Sequence, residues 1–197
     1  MKARELMRSV LLALVVSAWI AYPVHAASVS GSAGLAGKGS AGDAVIYLEG
    51  DRKATPLPDA MVDQRNRMFI PHVSVITVGT TVRFPNNDTV FHNVFAYFQA
   101  KRFDLGMYPR GATKTETFSK PGLVALLCNI HSNMSAYIMV VDTPYYAVCD
   151  KSGRFVMKDV PPGTYTLHAW HESGATTVQQ VHVAAGDNML TLSLTRE

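Results

Sequence analysis

Cys128-Asn129-Ile130-His131-Ser132-Asn133-Met134 places a thiol, an imidazole and a thioether within seven residues, at spacings of three and three. All three are soft or borderline metal donors, and so short a loop wraps them onto one ion at little cost in closure entropy. A fourth donor must come from elsewhere. His92, in Phe91-His92-Asn93-Val94, follows the strand-like run 80–85 and the turn-forming Asn86-Asn87-Asp88, so a neighbouring strand can deliver it to the same end of a sandwich. Two histidines, one cysteine and one methionine are the donor set of a blue copper centre, with Cys and both His near one plane and Met remote and axial. The sulfur donors favour Cu(I) and the imidazoles also accommodate Cu(II), so the ion can cycle without large rearrangement. Four protein donors leave no open position for water or substrate. The expected use is therefore one-electron transfer, not hydrolytic or Lewis-acid catalysis, and the chain is read as a non-enzyme.

Competing readings attach to the same residues. Met134 can be core filler, and His92 a satisfied surface histidine. Cys149 lies 21 positions beyond Cys128, and exported chains with two cysteines often join them. A Cys128 to Cys149 disulfide would remove the thiolate, whereas the preferred reading keeps Cys149 as a buried or half-buried thiol. His72 is expected as a partly exposed turn residue, with an accessory metal patch involving Met68 as the alternative. Trp170-His171-Glu172 is a weak candidate for a polar recognition edge. His168 and His171 are assigned no metal, since three positions apart on a strand and turn do not place them on one face.

The elements that must position these donors read as all-β. Short apolar or alternating runs recur at 43–49, 74–78, 80–85, 124–128, 136–141, 145–149, 153–159 and 164–170, then again near the end, divided by Gly, Pro, Asn and Asp. With 197 residues, 48% hydrophobic and 17% charged, the chain holds one core or two small ones, and two sandwich-like units suit the strand spacing. Residues 1–26 read as a secretory signal: basic Lys2, Arg4 and Arg8, an apolar run of 13 residues from Val10 to Tyr22, and a small residue at Ala26. That run is too short to span a bilayer, which takes about 20 residues. The mature chain is therefore expected in the periplasm, soluble and without integral membrane association. Cleavage removes three bases and one acid, leaving 15 against 14 and a net charge of +1 in place of +3. No Lys/Arg stripe follows, so no nucleic-acid partner is expected.

On Phe84-Pro85-Asn86 with Asp88, His92-Asn93-Val94 and the C-x-x-H-x-x-M loop, residues 57–142 resemble a cupredoxin, with the short ligand loop of its amicyanin members. The resemblance implies a Greek-key sandwich holding one type 1 copper ion. By it, His92 is the upstream ligand, Cys128 the thiolate, His131 the solvent-edge imidazole through which electrons pass, and Met134 the axial ligand. Asn93 corresponds to the asparagine whose hydrogen bonds tie the ligand loops together. Asp150-Lys151-Ser152-Gly153-Arg154-Phe155 and Val160-Pro161-Pro162-Gly163-Thr164-Tyr165 resemble the carboxypeptidase-regulatory, transthyretin-like β-sandwich, whose opening strands are similar to Val29-Ser30-Gly31 and 42–50. The preferred organisation makes residues 27–56 and 143–197 one small sandwich with the cupredoxin inserted between its strands. The alternative is tandem order, with 27–56 supplying the first cupredoxin strand.

The function this implies is a periplasmic type 1 copper protein that carries single electrons to a transient redox protein partner. The alternatives are copper sequestration or delivery, and a β-sandwich binding or structural module without metal. A nearly neutral mature chain argues against strong charge steering and for a small apolar encounter patch near His131.

Overall fold

β-Branched and aromatic residues at alternating positions, punctuated by glycine and asparagine turns, generate strands throughout the computed structural model, which describes residues 27–97 and 100–196. The signal segment expected at 1–26 lies outside the described residues. The strands are β1 (Ala27–Leu35), β2 (Gly39–Ser40), β3 (Val45–Glu49), β4 (Ala60–Met61), β5 (Asp63–Arg65), β6 (Met68–Ile70), β7 (Val73–Thr77), β8 (Thr80–Pro85), β9 (His92–Ala96), β10 (Phe103–Tyr108), β11 (Thr113–Phe118), β12 (Gly122–Leu127), β13 (Ser135–Val141), β14 (Tyr146–Val148), β15 (Arg154–Val160), β16 (Gly163–Trp170), β17 (Thr176–Val183) and β18 (Asp187–Leu194). The protein is all-β, with no helix among the described residues.

Strand pairing divides them into two sets. The inner set, β4 to β13, forms a sheet of order β10-β9-β12-β13-β7, a second of order β11-β8-β4, and the short hairpin β5-β6. The outer set, β1 to β3 with β14 to β18, forms a sheet β15-β1-β18, with β2 on β1, and a sheet β14-β3-β16-β17. Each set encloses its own apolar core. Phe84, Phe118, Leu126 and Ile138 fill the inner one, and Ile46, Leu48, Leu167 and Leu194 the outer one. Each such side chain contributes about 1.5–3 kcal/mol of transfer free energy.

Two glycines show how tightly the outer unit is built. A Cβ on Gly31 would stand 2.1 Å from the Leu190 carbonyl oxygen, so β1 and β18 can run parallel at this spacing only with glycine there. Gly153, at φ +81°, takes a left-handed turn conformation that also brings it against the Ala33 carbonyl.

The two units dock face to face. Along β13, Ala136, Ile138 and Val140 point into the inner core, while Tyr137, Met139 and Val141 point the other way and meet Val45, Tyr47, Tyr146 and Trp170 of the outer unit. Tyr137 packs edge-on against Trp170, with ring centroids 5.2 Å apart. His72 Nε2 lies 2.5 Å from Glu172 Oε2, and Lys53 Nζ lies 2.6 Å from Asp142 Oδ2. His72 and Glu172 are thus spent on each other across the joint, and Trp170 is an interface residue, not part of a free recognition edge.

Candidate metal centre

The loop before β9 is shaped by side chains bonding to backbone. Asn86, fully buried, donates from Nδ2 to the Val90 and Tyr108 carbonyls at 2.9 and 3.1 Å, and its Oδ1 accepts the Asp88 N–H at 3.0 Å. This turn presents Asp88 to three donors: the Thr89 N–H at 2.7 Å, the Arg67 N–H at 2.7 Å and His92 Nε2 at 2.9 Å. Burial alone would raise the Asp88 carboxyl, but those hydrogen bonds outweigh it and hold it below the usual carboxylate range. An ionised Asp88 accepts a proton-bearing Nε2, which leaves a lone pair at Nδ1 of His92.

That Nδ1 points at the loop after β12. The loop closes on itself through Met134 N–H to the His131 carbonyl at 2.9 Å and Cys128 N–H to the Met134 carbonyl at 3.3 Å. Asn93 ties it to the sheet: its Oδ1 accepts the Asn129 N–H at 3.1 Å, and its Nδ2 donates to Asp104 Oδ1 at 2.7 Å. The structure brings His92, Cys128 and His131 together. Cys128 Sγ stands 4.0 Å from each histidine Nδ1, and the two Nδ1 atoms are 3.2 Å apart. Met134 is buried in the same core as Cys128, at the far end of the same loop. His92 and Cys128 are buried and His131 is half-exposed. Burial first, then the neighbouring His92 and Arg67, lower the His131 pKa and favour its neutral, lone-pair form.

The donors fit a metal ion. A triangle with sides 4.0, 4.0 and 3.2 Å contains a point in its plane about 2.1 Å from both nitrogens and about 2.3 Å from sulfur, the distances a borderline-soft divalent ion such as zinc takes with these atoms. Three convergent lone-pair donors, two imidazole and one thiolate, match the nitrogen and sulfur preference of copper as well. Cys149 takes no part. Both cysteines are free thiols, Cys128 in the inner core and Cys149 in the outer one, so no disulfide joins them. Burial, with Asp150 and Asp43 nearby, pushes the Cys149 thiol up to about 12.

Several supporting residues carry no metal-ligand signature in the sequence. Gln64 of β5, fully buried, donates to the Pro85 carbonyl at 3.1 Å and meets the Tyr108 hydroxyl, which itself donates to the Phe84 carbonyl at 3.1 Å. Burial chiefly raises Tyr108 to about 12, so it stays a phenol that can donate. Asn87 Nδ2 donates to Asp63 Oδ1 at 2.9 Å, completing a clamp between the β5-β6 hairpin and the loop before His92. Only the Asn-x-Asp turn pattern ahead of His92 hinted at this network.

Among solved structures similar to the chain are a purple cupredoxin from Nitrosopumilus maritimus, a copper-containing nitrite reductase from Thermus scotoductus SA-01 and a reduced amicyanin variant. The first is 24% identical, with a TM-score of 0.39, over 42% of this chain and 99% of its own. The second is 27% identical, with a TM-score of 0.42, over 49% of this chain but only 25% of its own, so this chain matches about a quarter of that enzyme's length. The third is 20% identical, with a TM-score of 0.38, over 48% of this chain and 98% of its own. No curated protein sequence matches the chain. The family described as polysaccharide lyase family 4, domain II, matches residues 129–190, from the ligand loop through β17 into β18. The match thus covers β13 of the inner unit and β14 to β17 of the outer one but not β1 to β3, and its description differs from the transthyretin-like sandwich to which the sequence resemblance pointed.

Proposed function

We propose that the chain is an exported electron carrier that holds one copper ion on His92 Nδ1, Cys128 Sγ and His131 Nδ1, with Met134 as a remote fourth donor. The convergence of two imidazole nitrogens and one sulfur at the end of a sandwich carries this reading. Bound copper would supply a one-electron Cu(I)/Cu(II) couple. The chain's own residues would do the rest. Cys128 and His92, both buried, keep water from the donors, and Asp88 fixes which nitrogen of His92 is free. His131 is the one of the three donors with substantial exposure, which makes its ring the route to a partner. Phe91 and Ile130, each next to a donor in sequence, and Met107, paired with Asn93, are exposed, and an apolar rim of this kind suits a brief encounter with a redox protein. With no donor position left over, the site is assigned no reaction of its own.

A second reading, copper delivery, draws on the exposed thioethers of Met68 and Met107. Stopped-flow oxidation and reduction of the copper-loaded protein separates the two. A carrier cycles repeatedly and keeps its ion in the presence of a Cu(I) chelator, whereas a delivery protein surrenders the ion on reduction.

A further inference from the structure

Where the chain crosses between the two units, a cleft of about 750 Å³ opens at the Glu49–Gly50 end of the β14-β3-β16-β17 sheet. That volume is typical of small-molecule sites. The crossing segment that begins at Gly50 forms one wall, and Thr166 and Gln180 from paired positions of β16 and β17 form another.

Three features narrow what the cleft takes. The ring of Tyr165 is fixed by its hydroxyl, which donates to the Pro161 carbonyl at 2.8 Å, and it has a glycine on either side. A Cβ at Gly50 would stand 3.1 Å from one ring edge and a Cβ at Gly163 3.4 Å from the other, so any larger residue at these positions would crowd the edges of the ring. The lining carries three carboxylates, Glu49, Asp51 and Asp142, against two bases, Arg52 and Lys53, and Lys53 is held by Asp142 at 2.6 Å, which leaves no surplus of bases to hold an anion. Uncommitted donors and acceptors remain. Gln180 spends one N–H on Thr166 at 2.8 Å and keeps its carbonyl, and the Tyr145 hydroxyl at the cleft has no partner among the described residues.

An aromatic ring with uncrowded edges, beside hydroxyl and amide groups and a lining without surplus positive charge, suits a ring with apolar C–H faces and a rim of hydroxyls that both donate and accept. We propose that this cleft binds an uncharged polyhydroxy ligand, a sugar ring or short glycan, independently of the copper reading. Both connections between the units, at Gly50–Lys53 and Asp142, line it.

Saturation-transfer NMR on the full mature protein, with and without copper, tests this. The probes are glucose, galactose, cellobiose and maltotriose, with citrate and spermidine as charged comparisons. The expected result is transfer to ring C–H protons of at least one saccharide, with affinity falling about tenfold or more in both Gly50→Val and Gln180→Ala. Gln180 is exposed, so its substitution keeps the test decisive if Gly50→Val folds poorly. Absence of transfer to every saccharide, transfer unchanged in Gln180→Ala, or preferential binding of citrate or spermidine would overturn the proposal.

Discussion

Asp88 decides which nitrogen of His92 is left to ligate, and it does so from a buried position reinforced by two backbone N–H groups. Replacing it with alanine frees the imidazole to adopt either tautomer and removes a charge that raises ligand basicity. Copper affinity should fall about 10–100-fold, with partial recovery in Asp88→Asn, as measured by competition with a chelator. Unchanged affinity would mean that the backbone alone orients His92. Cys149 offers the opposite contrast. Its thiol is buried and pushed up to about 12, so it remains neutral far above physiological pH. In metal-free protein at pH 8, alkylation followed by peptide mapping should label Cys128 well before Cys149, and Cys149 should become reactive only on unfolding. At this scale the sequence is legible where donors are neighbours: Cys128, His131 and Met134 share one loop. It is silent where support comes from afar, because Gln64 meets Tyr108 across 44 positions and neither residue type announces that contact.

Among the elements, β13 is the informative one. Its run Ala136-Tyr137-Ile138-Met139-Val140-Val141 is apolar at every position because both faces are covered, one by the inner core and one by the outer unit. The sequence therefore reads plainly as a strand, but the reason for its double-sided character needs the partner surface. β11 escaped the sequence reading for the converse reason. Thr113–Phe118 is nearly all polar, since it lies at a sheet edge, pairs with β8 along its whole length and buries only Phe118. The β1–β18 pairing gives a prediction independent of metal. Gly31→Ala would drive a methyl group into the Leu190 carbonyl, where backbone cannot yield, and should destabilise the protein by about 2 kcal/mol or more in chemical denaturation. The visible spectrum of copper-loaded protein should be unaffected.

At the scale of the whole molecule, two cores are held together by an aromatic and aliphatic seam with few charges. The His72–Glu172 pair is over a third exposed on both sides and adds at most about 1 kcal/mol. Trp170 against Tyr137 does more. Trp170→Ala should cost roughly 2–3 kcal/mol, less than the 3–5 kcal/mol of a fully buried aromatic, and should loosen the units, as seen by small-angle scattering. The candidate metal centre, built wholly within the inner unit, should keep its copper-loaded spectrum in that variant.

The central claim is that Cys128 and two histidines make a copper site, and the most direct measurement is the visible absorption of residues 27–197 titrated with Cu(II), then reduced and reoxidised. The account predicts an intense thiolate-to-copper band that saturates at one equivalent, bleaches reversibly, disappears in Cys128→Ser and persists in Cys149→Ser. A protein with Cys128 free that takes up copper without such a band, or a band lost in Cys149→Ser, would contradict it.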